Sequence, residues 1–323
     1  MFKLVQVIFA ALLCAGNAAA QTGATAYPER PVKIVMPFPP GGPTDTIARL
    51  IADQLRLSLK QPFIVENKAG AGGNIGLGEA AKAPRDGYTL AIITATTSAI
   101  NPNLYPNLPY DPDKDFVPIA IFAKVAYALV TRPGVAANNL AELVALMKSQ
   151  PGTLNGGYAS TASQVANDLF MKAAGVKFVS VPYKGDANVH TALMSGEVDL
   201  YFTVSQQAGS LISAGKLKGI AIASAQRTPI MPNVPTFAEA GMPGFFDLTA
   251  WFGLVTNAGV PGEVVARLNQ EINRIVSAPE FAARLAQFGF FPFITTPQEA
   301  ADLVRNDRVR WGRAVRESGA TVQ

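Results

Sequence analysis

Short apolar runs alternate with amphipathic stretches along most of this chain of 323 residues. The runs at Val32–Met36, Thr89–Thr94, Ile119–Phe122, Ala128–Thr131, Phe178–Pro182, Val198–Phe202 and Gly219–Ser224 predict strands. Most are apolar without interruption, the pattern of parallel strands buried on both faces. Between them, Ile47, Leu50, Ile51 and Leu55 recur at helical spacing, as do Leu140, Leu143, Val144 and Met147. Strand–helix alternation of this kind predicts an α/β fold. The last third reads as mainly helical, with a stripe at Val264, Leu268, Ile272 and Ile275. Thr296-Pro297-Gln298-Glu299 forms a capping box with proline at the first helical position, which opens a final helix. No repeat and no low-complexity linker interrupts the pattern, so two domains would be joined by crossing strands.

The first twenty residues are set apart from this pattern. Lys3 precedes an apolar core at Leu4–Leu13, and Ala18-Ala19-Ala20 offers a small-residue cleavage site before Gln21. That stretch is too short for a membrane span. Residues 1–20 are therefore expected to be a cleaved signal peptide, leaving an exported chain of roughly 300 residues, enough for two domains. Cys14 is the only cysteine and goes with the leader, which excludes disulfides, a thiol nucleophile and thiolate metal sites. Without Lys3, 26 basic residues face 23 acidic ones, and they form no cluster. Nucleic acid is not an expected partner. No metal and no cofactor is expected either, because His190 is the only histidine and the carboxylates lack metal-ligand spacing.

Candidate chemistry concentrates in two glycine-rich turns. Pro37-Phe38-Pro39-Pro40-Gly41-Gly42-Pro43-Thr44-Asp45 follows the first strand, and Ala69-Gly70-Ala71-Gly72-Gly73-Asn74 follows Phe63-Ile64-Val65. Such a turn at a helix start presents unsatisfied backbone amides and the positive end of the helix dipole, which suits an anion. It is equally what a tight strand–helix connection looks like, and the Asp45 carboxylate would compete for the same donors. The glycines at 70, 72 and 76 do not have the spacing of a dinucleotide fingerprint. Hydroxyls cluster at Thr94-Ala95-Thr96-Thr97-Ser98, where the carboxyl end of a strand binds ligands in α/β sheets. Ser160, Thr161 and Ser163 repeat the theme, as does Pro182-Tyr183-Lys184-Gly185-Asp186. Lys184 reads either as a solvated turn lysine or as the pocket's cation. His190 reads as a surface residue of a helix over Asp186–Ser195, and no nucleophile elbow accompanies it, so an enzyme is not expected.

Several segments together resemble the tripartite tricarboxylate transporter substrate-binding family, the Bug-type receptors of bacteria. They include Tyr27-Pro28-x-Arg30-Pro31-Val32, Pro37-Phe38-Pro39-Pro40-Gly41-Gly42-x-x-Asp45 and Val65-Glu66-Asn67-Lys68-x-Gly70-Ala71-Gly72-Gly73-Asn74-Ile75-Gly76. Further matches are Asp86-Gly87-Tyr88-Thr89, Val181-Pro182-Tyr183-Lys184-Gly185, Pro232-x-Val234-Pro235-Thr236 and Trp251-Phe252-Gly253-Leu254. The resemblance implies a periplasmic binding protein with a cleft between two α/β domains, the first from residues 27–125 and 249–323 and the second from 126–248. It implies hinge closure on a small organic acid or amino acid, held chiefly by amides, hydroxyls and water. Delivery would be to a two-component membrane permease, or presentation to a sensor, by a monomer. The implied contacts fall on Phe38, Gly41, Gly42, Asp45, Ala95, Thr96 and Thr97. In the second domain they fall on Ser160, Thr161, Ser163, Tyr183, Lys184 and Gly185, with Trp251 and Phe252 walling the cleft. Tyr158–Gln164 lacks the glycines and histidine usual in the family's second-domain loop, so its contacts and the ligand's identity stay open.

Overall fold

A computed structural model describes residues 27–318 except Phe246, so the expected leader lies outside the described residues. Two mixed β-sheets with helices on their faces make a two-domain α/β fold. The first sheet uses β1 (Val32–Met36), β2 (Phe63–Asn67), β3 (Thr89–Thr94), β4 (Phe116–Val125), β10 (Ala250–Asn257) and β11 (Phe290–Pro292). Their spatial order is β11-β4-β10-β3-β1-β2. The second uses β5 (Tyr127–Thr131), β6 (Asn155–Tyr158), β7 (Val179–Pro182), β8 (Leu200–Val204) and β9 (Lys218–Ala223), in the order β7-β6-β8-β5-β9. Only Ala126 separates β4 from β5, so the chain passes from one sheet to the other along a nearly continuous strand.

The expectation of parallel strands holds for half of each sheet. β1 runs parallel to β2 and β3, and β6 to β7 and β8. β10 is antiparallel to both β3 and β4, and β5 to both β8 and β9. An uninterrupted apolar run reports burial on both faces, and a central antiparallel strand meets that condition as well as a parallel one. The last third is mainly helical, as its pattern predicts, and it also carries β10, a buried strand between β3 and β4 that the pattern did not single out.

Helix α1 (Pro43–Leu59) buries Ile47, Leu50, Ile51 and Leu55 against one face of the first sheet, beside α7 (Gly262–Ser277) with Val264, Leu268 and Ile272. Each side chain buried in this way contributes roughly 1.5–3 kcal/mol. The opposite face is covered by the turn at Thr96–Ile100 and by α9 (Pro297–Ser318). Around the second sheet lie α3 (Leu140–Ser149), α4 (Thr161–Ala174), α5 (Asp186–Ser195) and α6 (Ser205–Ser213). One apolar core runs from Ile93 and Trp251 through α9 and α4 to Phe170 and Phe202. The remaining helices are α2 (Asn74–Ala81), after the second glycine turn, and α8 (Pro279–Gln287).

Candidate functional site

Between the sheets opens a cleft of 1010 Å³, lined from both. Its floor on the first-sheet side is the turn from β1 into α1. Gly41 has φ +85°, in the left-handed region that favours glycine, and Gly42 begins the helix with φ −81°. A side-chain carbon added at either glycine would meet nothing, because both face the open cleft. Asp45 is buried and directed back into its own turn. It accepts hydrogen bonds from the Gly41 amide (3.0 Å), Arg49 Nε (2.9 Å) and Asn67 Nδ2 (2.9 Å), and Asn67 Nδ2 also donates to the Phe38 carbonyl. Burial works against its ionisation, but the donors from Arg49, Asn67 and Gly41 outweigh burial and hold it below the usual carboxylate range. Asp45 is therefore a brace of the turn that consumes the Gly41 amide. The amides of Gly42, Thr44 and Asp45 donate to no protein group among the described residues.

The second glycine turn stands beside the first. Gly70, Ala71, Gly72 and Gly73 all have positive φ, and the Asn101 side chain donates to the Gly72 carbonyl at 3.0 Å. Gly73 also lets Thr97 approach: a side-chain carbon there would lie 2.7 Å from Thr97 Cγ2. Packing and cleft lining thus act together in this turn.

Of the hydroxyl cluster after β3, Thr94, Ala95 and Thr96 reach the cleft. Thr97 does not. It is fully buried, and its hydroxyl bonds the Thr94 backbone at both N and O, while the Ser98 carbonyl is taken by Arg308. Sequence alone could not distinguish a hydroxyl that bonds its own turn from one that faces a ligand.

In the second domain, Ser160 caps α4 and lines the cleft with Thr161. Ser163 turns inward instead, accepting from the Ser160 and Ala159 amides at 3.1 Å to close a capping box. Gly156 and Gly157 serve packing: an added carbon would lie 2.4 Å from Phe178 at one and from Val189 at the other. Tyr183, Lys184 and Gly185 line the cleft at the start of α5, Lys184 being exposed. The Tyr183 hydroxyl donates to Glu197 at 2.8 Å, and desolvation with the Glu197 charge pushes it up to about 12.

Two aromatic or histidine expectations change. Along β10, Ala250 and Phe252 face the cleft and Trp251 points the other way, as strand alternation requires. Trp251 is buried in the core with Nε1 donating to Asp307 at 2.8 Å, so it does not wall the site. His190 lies on the expected helix but is buried, 3.2 Å from the Thr203 hydroxyl, and burial pulls it below its ordinary value against the pull of Asp186. It is a core residue, not a surface one.

The structure also places residues in the cleft that sequence reasoning passed over. Tyr127, just past the crossing at Ala126, has no motif to mark it. Val204 ends β8 and Gln207 lies just beyond it, so the rule that located the Thr94–Thr96 loop would have reached them. Trp311 is another, while Tyr158 and Asp186, which also line the cleft, lie in segments the sequence already marked.

Residues 47–320 match the model of the tripartite tricarboxylate transporter family receptor. Protein BugT of Bordetella pertussis is 34% identical over 326 residues, spanning 100% of this chain and 99% of its own. Two solved structures are similar throughout. R. palustris Rpa4515 with adipate has TM-score 0.85 and 32% identity over 92% of this chain and 100% of its own. MatC of Rhodopseudomonas palustris with bound malate has TM-score 0.77 and 34% identity over 90% of this chain and 100% of its own. With the same two-sheet fold and matches along nearly all of its length, the chain belongs to the tripartite tricarboxylate transporter family of receptors.

Proposed function

We propose that this chain is a periplasmic receptor that captures a small carboxylate in the cleft, closes over it by hinge motion and hands it to a membrane transporter. The reading rests above all on the α1 turn. There, amides without protein partners, a positive helix end and two glycines open to the cleft converge, while Asp45 is neutralised by its own donors. Residues from both sheets line the cleft, so a ligand that touches both favours a closed arrangement. Relatives described with adipate and with malate support the ligand class. Export after cleavage of residues 1–20 belongs to the same reading. Among the described residues, no helix is long and apolar enough to cross a membrane. The family is one of receptors, and a binding role without turnover accords with it.

Recognition of charge is the testable core. A thermal-shift screen of organic acids identifies a ligand, since a ligand that binds only the native state raises the melting temperature. Calorimetry then compares that acid with its own amide and methyl ester. The acid is expected to bind at least about tenfold tighter, because only the carboxylate engages the helix end. Equal affinities would overturn the reading.

A further inference from the structure

The two walls of the cleft differ in chemistry. The α1 side offers amides and hydroxyls. The facing side includes Tyr127, Tyr158, Tyr183 and Asp186. An acid in the first turn of a helix ordinarily complements the helix dipole, and Asp186 opens α5. Its surroundings ask more of it than that. The buried Tyr201 hydroxyl donates to its Oδ1 and fixes the carboxylate in place. Among the described residues, it forms no ion pair with any lysine, arginine or histidine. Its charge is felt across the cleft wall, since burial first and the Asp186 carboxylate second push the Tyr127 phenol upward. Among the described residues, Lys184 is the only basic residue lining the cleft, and it is exposed. A half-buried carboxylate without a counter-ion in the wall of a cleft repels a second carboxylate and attracts a cation.

We propose that the ligand is a zwitterionic amino acid, its carboxylate at the α1 turn and its ammonium at Asp186. This rests on the carboxylate-receptor reading and narrows it: the far end of the ligand is cationic, not a second acid. Asp186 then sets specificity, and Tyr201 positions it.

Calorimetry with the whole mature chain tests the idea on pairs matched in length: succinate against 4-aminobutanoate, and adipate against 6-aminohexanoate. In at least one pair the amino acid is expected to bind at least about tenfold tighter than the diacid. Asp186→Asn should lower that amino acid's affinity about tenfold or more while leaving the diacid equal or improved. Tyr201→Phe, which keeps the carboxylate, should retain the preference in weakened form. Preference for the diacid in both pairs overturns the proposal, as does an amino-acid affinity unchanged by Asp186→Asn. The wild-type comparison decides by itself should a variant fail to fold. If none of the four probes binds, the zwitterion proposal falls; the carboxylate-receptor reading falls only if the wider acid screen is also empty.

Discussion

Asp45 carries a carboxylate at the place where the cleft is built to receive an anion, and its three hydrogen bonds resolve the conflict. The side chain is satisfied within the turn, so it shapes the site without opposing a ligand. From the sequence, the turn, its glycines and its helix start were legible because each follows from local backbone chemistry. The inward aim of Asp45 was not, because two of its partners, Arg49 and Asn67, come from the body of α1 and from β2. Gly42 gives the direct test of this turn. Its φ of −81° suits any residue, and a side chain would project into open cleft. Gly42→Val should therefore cost only on the order of 1 kcal/mol in folding, since valine caps helices poorly. Calorimetry should show loss of most ligand affinity; wild-type binding would remove this turn from the site. Asp168, half-buried on α4, behaves oppositely to Asp45. Burial pushes it up to about 6, above its unfolded value, so it favours the native state while protonated. That contribution is complete below about pH 4 and lost as pH rises through about 6. Asp168→Asn should leave stability near pH 4 unchanged. At pH 8 it should raise stability by about 1 kcal/mol, discounted for solvent screening, as read from urea unfolding at the two pH values.

At the level of elements, local signals were the most reliable. The capping box before α9 forms as its four residues suggest. Glu299 accepts from the Thr296 amide at 2.8 Å, and the Glu299 amide donates to Thr296 Oγ1 at 3.2 Å. Thr296→Ala should cost about 1 kcal/mol, a drop measurable as a lower unfolding midpoint with an unchanged slope. Elements that depend on distant partners were read less well. Trp251 and Phe252 are adjacent in a segment that resembles the family, yet a strand sends neighbours to opposite faces. Only the pairing of β10 with β3 and β4 decides which one sees the cleft. His190 shows the same limit. Helical spacing locates the helix, but its burial comes from β8 across the domain, through Thr203. Thr97 and Ser163 are the hydroxyl version, each spent on backbone a few residues away.

For the molecule as a whole, alternation and length made two α/β domains and crossing strands legible, since burial patterns scale up directly to layers. Strand direction was not, because burial is blind to it. β10 is inserted between β3 and β4, which end at residues 94 and 125, long before β10 begins at residue 250. That insertion sets an order of assembly. The strands of the second sheet, β5 to β9, are contiguous between residues 127 and 223, whereas the first sheet lacks a central strand until residue 250 has been made. Contacts close in sequence form with less loop-closure entropy. Pulse-labelled hydrogen exchange during refolding of the full chain should therefore find the amides of β5, β8 and β9 protected before those pairing β3 and β4 with β10. Protection in the reverse order would refute this sequence. A nascent chain built this way can pair β1 with β2 and β3 early, but it holds the facing edges of β3 and β4 open until β10 has been made. A chain stopped short of residue 250 would therefore hold every strand of its second sheet and only a split first sheet.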